Sequence, residues 1–228
     1  MKHQLIFTIL LVVTTFCYQA IGKANPFNGT VSPLIDTLNV ADFSAIANDT
    51  KEDSQAFQTA IDAAARLRLP LLIPAGKFYI KDVELRNNIT LIGEGEATVL
   101  RKIFSGEFAL GCNFSYFTPR SDPTGAFNVK NITITNIAFE GTSTTDGFSQ
   151  YRHLLNLNGV DNVKVIGCWF KGFNGNGVYI GSDVGVERHN SNIIISQCLF
   201  DGYNKENRNG ISVIDGRNIT IENNYFFN

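Results

Sequence analysis

Five times along this chain an Asn is followed by a short run built from Ile, Val, Leu, Thr and Lys, and no other feature constrains the fold as strongly. The copies are Asn88-Ile-Thr-Leu, Asn131-Ile-Thr-Ile, Asn162-Val-Lys-Val, Asn192-Ile-Ile-Ile and Asn218-Ile-Thr-Ile, separated by 43, 31, 30 and 26 residues. In the last four copies an aromatic stands eight residues after the Asn: Phe139, Phe170, Phe200 and Phe226. A fixed offset inside segments of unequal length puts the variation between the anchors, where loops are inserted into a repeat array. A second frame runs parallel to the first. Tyr151-Arg-His-Leu-Leu-Asn-Leu, Asn174-Gly-Asn-Gly-Val-Tyr-Ile and Asn207-Arg-Asn-Gly-Ile-Ser-Val align, which puts Leu155, Val178 and Ile211 in one apolar row and Leu157, Ile180 and Val213 in the next. Strict alternation places Asn156, Tyr179 and Ser212 on the opposite, solvent-facing side.

A single coil of this kind cannot bury its apolar face, so the repeat implies stacking. Short strands paired in parallel at about 4.8 Å would merge the coils into one interior. A β-sandwich would not explain why strands repeat their own sequence. Before the repeats the period is helical: Ala56, Phe57, Ala60, Ile61, Ala64 and Leu67 recur on one face. Thr50 with Asp53 reads as a capping box and Pro70 as the stop, which predicts a helix over 51–67 that covers the exposed end of the first coil. Val40-Ala-Asp-Phe reads as a short strand-like start, and Leu71–Ile73 and Phe78–Ile80 as strands.

The N-terminus reads as a targeting segment. Lys2, an apolar run from Leu5 to Phe16 and the small-x-small pattern Ala20-Ile21-Gly22 form a signal peptide over 1–22, too short to span a membrane. A lead-in over 23–38 precedes a repeat domain over 39–228. The expectation is a secreted protein, or a periplasmic one in a bacterium, with no membrane association after cleavage. A net charge of −2 lacks the basic field of a nucleic-acid binder. Three cysteines remain after cleavage: Cys112, Cys168 and Cys198. Cys168 and Cys198 both sit six residues after their anchor Asn, which predicts a buried pair of stacked thiols. The sequence stops directly after the last repeat aromatic, which predicts an incomplete stack whose final coil is open to self-association.

The segment Val40-Ala-Asp-Phe-Ser-Ala-Ile-Ala-Asn-Asp-Thr-Lys-Glu-Asp-Ser-Gln-Ala-Phe-Gln-Thr-Ala-Ile-Asp-Ala-Ala, followed by Leu72-Ile-Pro-Ala-Gly-Lys-Phe-Tyr-Ile, resembles the opening of the pectate-lyase superfamily, and within it the rhamnogalacturonase/epimerase-like pectate lyase domain. It departs from that pattern at Ser44 and at Asn48-Asp49. The resemblance implies an all-β fold, a right-handed parallel β-helix with an N-terminal capping α-helix. It also implies a polysaccharide partner, an acidic pectin-like glycan, handled by lyase or hydrolase chemistry. The family equally contains proteins with no known activity, so a non-catalytic carbohydrate-binding or adhesin-type β-helix, or an inactive fragment of a longer enzyme, stands beside the enzyme reading.

Inverting hydrolysis needs two carboxyl groups about 6.5–9.5 Å apart. The positions where a polygalacturonase-like relative keeps aspartates hold His153, Asn176 and Asn209, then Asn156, Tyr179 and Ser212, and none is a carboxylate. β-Elimination needs a base and a cation beside the sugar carboxylate. The candidate catalytic set is therefore His153, Asp183 and Arg208. Arg152, Asn156, Asn176, Tyr179, Arg188, His189, Asn209 and Ser212 form the candidate substrate-binding set, with Asp183, Arg188 and His189 contributed by one charged loop. No cofactor is indicated, and Ca2+ enters only with the lyase reading. Zinc spacing of the His-x-x-x-His or Cys-x-x-Cys kind is absent.

Overall fold

The computed structural model describes residues 36–103, 108–112, 129–181, 189–203 and 209–227. The chain winds through three parallel sheets in a fixed order. Sheet I holds seven strands: Leu38–Asn39, Leu71–Leu72, Ile89–Ile92, Val129–Thr135, Val160–Ile166, Ser191–Ser196 and Arg217–Glu222. Sheet II holds six: Gly76–Ile80, Thr98–Lys102, Ala138–Glu140, Trp169–Lys171, Leu199–Asp201 and Tyr225–Phe227. Sheet III holds five: Val83–Glu84, Phe108–Cys112, His153–Asn158, Val178–Gly181 and Ile211–Val213. Each turn of the chain visits I, II and III before rising one strand. This is a right-handed parallel β-helix, the hand that parallel crossovers take almost without exception.

The anchors work through backbone conformation. Asn88, Asn131, Asn162, Asn192 and Asn218 all adopt left-handed φ between 55° and 60°, a region Asn tolerates because its short side chain bonds locally. Their side chains then form a ladder outside the core. Asn131 Nδ2 donates to Asn88 Oδ1 at 2.8 Å, Asn162 Nδ2 to Asn131 Oδ1 at 2.9 Å, and Asn218 Nδ2 to Asn192 Oδ1 at 3.1 Å. The one break is Asn192, which donates to the Asp161 carboxylate at 2.7 Å. Hydrogen bonds from Ser191 and Asn192 hold that carboxyl below its ordinary value. A second bend follows five residues later in each of the last four coils, where Asn136, Gly167, Gln197 and Asn223 are again left-handed.

Inside, like packs on like. Ile89, Ile132, Val163, Ile193 and Ile219 stand in register, as do Leu71, Leu91, Ile134, Val165, Ile195 and Ile221. Phe139, Phe170, Phe200 and Phe226 stack with ring centroids 4.9 Å apart at each step. Cys168 and Cys198 are free and buried in a neighbouring row, and burial pushes the Cys168 thiol well above its ordinary value. The apolar residues of the last coil, among them Ile221, Tyr225, Phe226 and Phe227, are exposed. Cys112 contributes backbone to sheet III, and its side chain lies outside the described set.

Helix α1 spans Ser54–Leu67 and buries Phe57, Ala60, Ile61 and Ala64. It packs against the first strands of sheets I and III, and Phe57 meets Phe78 of the first strand of sheet II edge-on at 5.4 Å. The helix starts three residues later than the sequence predicts. Thr50 is in a left-handed conformation and Glu52 bridges to Tyr79. Asp53 does not cap the helix. Its two oxygens accept from the Ile46 and Tyr79 amides at 2.9 and 3.0 Å, and burial raises its pKa against those bonds. Asp53→Ala would leave both amides without an acceptor. At about 1–3 kcal/mol for each orphaned donor, and with exposed Ile46 open to water at its amide, chemical denaturation should show a loss of roughly 2–4 kcal/mol. Val40–Phe43 is a 3-10 turn rather than the strand read from sequence, with Asn39 Oδ1 accepting from the Ala41 amide.

Candidate functional site

Register in sheet III is as the two sequence frames require. Leu155, Val178 and Ile211 are paired neighbours, as are Leu157, Ile180 and Val213. Leu155, Val178, Leu157 and Ile180 are wholly buried. The opposite row runs Glu84, Gly111, Asn156, Tyr179, Ser212. The expectation that Asn156, Tyr179 and Ser212 face solvent needs correction. Tyr179 and Ser212 are half-buried, and Asn156 is 0% exposed. Alternation gives the direction in which a side chain leaves a strand, but it does not say what covers that side chain.

His153 is also buried, at 3% exposure, and its ring stacks on Tyr179 with centroids 4.4 Å apart and planes 9° from parallel. Its Nδ1 accepts from the backbone amide of Asn176 at 3.1 Å, with Asn176 Nδ2 at the same distance. An acceptor Nδ1 places the imidazole proton on Nε2. His153 therefore presents a donor at Nε2. The network continues down the stack. Asn176 Oδ1 accepts from the Asn209 amide at 3.1 Å and from Ser212 Oγ at 2.9 Å, and Asn209 Nδ2 donates to Ser212 Oγ at 3.0 Å. The three positions that hold His153, Asn176 and Asn209 are thus one bonded column, with Asn176 itself 0% exposed.

Gly181 makes room for this arrangement. A Cβ there would stand 2.1 Å from Tyr179 Cε1 and 2.3 Å from Asn158 Oδ1, so only glycine lets the phenol ring lie back along the strand.

At the edge of the face, His189 Nδ1 donates to the Asp215 carboxylate, 2.9 and 3.1 Å from its two oxygens. Asp215 orients the ring and leaves Nε2 as its basic nitrogen. The next residue, buried Asn190, holds the corner: it donates to the carbonyls of Gly181 and Asp215 and accepts from the Val160 amide at 3.0 Å. Asn174 does the same elsewhere, accepting from Thr142 and donating to the Gly147 carbonyl at 2.7 Å. Sequence reasoning passed over Asn158, Asn174, Asn190 and Asp215. The available signal was the recurrence of Asn between the sheet II strand of one coil and the sheet I strand of the next, where Asn158, Asn174 and Asn190 all fall.

Arg152 is half-buried at the lip, its carbonyl accepting from Gly175. Asp183, Arg188 and Arg208 lie outside the described residues. The structure thus gathers His153, Asn156, Asn176, Tyr179, Asn209 and Ser212 on one sheet, with Arg152 and His189 at its borders. Among the described residues no group of three or more His, Cys, Asp or Glu side chains could hold a metal ion, and no helix is long and apolar enough to cross a membrane.

Residues 37–228 match the family model described as "Rhamnogalacturonase A/epimerase, pectate lyase-like". No curated protein matches the sequence significantly. Among solved structures, the chain is similar to an iota-carrageenase complexed to iota-carrageenan fragments, with TM-score 0.64 and 17% identity over 82% of this chain and 41% of the other. It is similar as well to the surface protein and adhesin PfbA of Streptococcus pneumoniae, with TM-score 0.61 and 18% identity over 83% and 52%. The N-terminal fragment of bacteriophage phi29 gene product 12 matches with TM-score 0.59 and 19% identity over 71% and 28%. The chain spans about half or less of the length of these structures, and the likeness is one of fold.

Proposed function

Since the chain belongs to the rhamnogalacturonase A/epimerase, pectate lyase-like family, we propose that it is an exported glycan-engaging protein whose sheet III face holds an acidic polysaccharide strand. The observation that carries this reading is the His153–Tyr179 stack set among buried Asn156, Asn158 and Asn176. The buried amides fix the stack, and the half-buried Tyr179 ring with Ser212 and exposed Asn209 beside it suits a sugar ring, which offers C–H faces to the aromatic and hydroxyls to the two polar side chains. Arg152, with Arg188 and Arg208, supplies positive charge for a uronate or sulfate. The iota-carrageenase seen with iota-carrageenan fragments supports a glycan partner without fixing which one.

An enzymatic reading, lyase or hydrolase, is favoured by the His189–Asp215 pair. In it His189 takes the C5 proton of a uronic acid, the C–H electrons form the C4–C5 double bond, and the glycosidic oxygen leaves with a proton. His153 acts as donor, and Asp183 and Arg208 complete the set. In this reading Arg152, Arg188 and Arg208 are the cations assigned to neutralise the sugar carboxylate.

Retention in native gels containing polygalacturonate or iota-carrageenan tests the binding reading. Tyr179→Ala should weaken retention by roughly fivefold, the scale of one aromatic contact of about 0.5–1.5 kcal/mol. Wild-type protein that migrates freely through both gels would sink the proposal. Unsaturated-uronate absorbance or new reducing ends, lost on His189→Ala, would establish the enzymatic reading.

A further inference from the structure

Sheet II carries an outward row of its own, in register from coil to coil: Val99, Ala138, Trp169, Leu199, Tyr225. Ala138 leaves the sheet on the solvent side, because its neighbour Phe139 points into the core, yet it is only 2% exposed. Trp169 explains this. Its Cη2 reaches the turn before Thr98, where a Cβ on Gly95 would stand 3.9 Å away. The indole therefore lies down across Ala138 towards the coil beyond it, one surface against the protein. Trp169 remains half-buried, so the rest of the ring meets solvent. Tyr225, 67% exposed, stands two strands further on, a step of about 10 Å and close to two pyranose rings of an extended chain.

The flanking charges are satisfied. Glu140 pairs with Lys77 at 3.0 Å and Arg101 at 2.8 Å, and Lys171 pairs with Glu96. Adding Asp201, the strip holds three cations and three anions, so nothing on it selects a polyanion. What it offers is a flat aromatic surface bordered by fixed donors and acceptors.

We propose that this face is a second glycan-binding surface, in which an uncharged β-linked polysaccharide strand runs along the stack axis with one sugar on Trp169 and another near Tyr225. It rests on the reading that the protein engages glycans, but uses a different sheet and a different ligand chemistry. Trp169 is the only tryptophan in the chain, so its emission reports this site alone. Titrating the full chain with cellohexaose should shift that emission, and the shift should persist in Tyr179→Ala. In gels containing hydroxyethylcellulose, Trp169→Leu should lower retention by roughly fivefold, with an unchanged circular dichroism spectrum. Leu keeps the position apolar, as Leu199 does one coil along. No emission shift, a shift that disappears in Tyr179→Ala, or unchanged retention of Trp169→Leu would each overturn the proposal. Failure of the sheet III reading would show separately, as polygalacturonate retention indifferent to Tyr179.

Discussion

Phe170→Ala should remove about 3–5 kcal/mol of stability, the cost of emptying a buried aromatic site. Phe170 is wholly buried and stacked on both sides, by Phe139 and by Phe200. The surroundings cannot collapse into the hole, because each neighbouring ring is fixed to its own strand at the sheet spacing. The effect should also be visible in the shape of the unfolding curve. Coils of a solenoid hold only their nearest neighbours, so loosening one interface uncouples the two halves. Urea unfolding of the variant should broaden or split while wild type unfolds in one step. A single transition with an unchanged midpoint would show that the Phe column contributes less than its packing implies.

Asn176→Leu should rank next, although it conserves volume. It deprives the Asn209 amide and Ser212 Oγ of the oxygen they share and removes one of the two groups on His153 Nδ1. A polar group left without a partner costs about 1–3 kcal/mol when buried, and the two together should cost roughly 2–5 kcal/mol, less than the full sum because Asn209 and Ser212 retain access to water. Because the same column sets the His153 ring under Tyr179, retention on polygalacturonate should fall along with stability. Asn176→Asp keeps the acceptor for the Asn209 amide and Ser212 but sets an oxygen against His153 Nδ1 in a buried position, so it should recover only part of the stability. A destabilised Asn176→Leu with full retention would separate the column from binding.

The parts of this molecule that were legible in sequence are those fixed by side-chain size and backbone conformation at each repeat. Asn88 through Asn218 had to be alike because every coil turns there with positive φ, and Phe139 through Phe226 because every coil fills the same slot. The second bend was not read, because residues of dissimilar chemistry fill it, although Asn136, Gly167, Gln197 and Asn223 all sit five residues after their anchor. What could not be read was environment. Asn156 and Asn176 occupy positions that alternation labels as surface, and both are buried. Thr50 and Asp53 match a capping box, yet Asp53 is drawn away by amides 7 and 26 residues distant in sequence. The tautomer of His153 and the pairing of His189 with Asp215 depend on partners contributed by the next coil.

The ladder of anchor amides has a further consequence for how the protein ages. Spontaneous deamidation turns an Asn into an Asp, and along this ladder the damage would be directional. At Asn131 the lost amino group is the one that donates to Asn88, so two oxygens would face each other across that step, while Asn162 would still find its acceptor. Wear at one rung is therefore felt by the coil before it and spared by the coil after. The Asp161 carboxylate between Asn162 and Asn192 is the one rung already built in the aged form, and there the neighbours are arranged so that every contact to it is a donor.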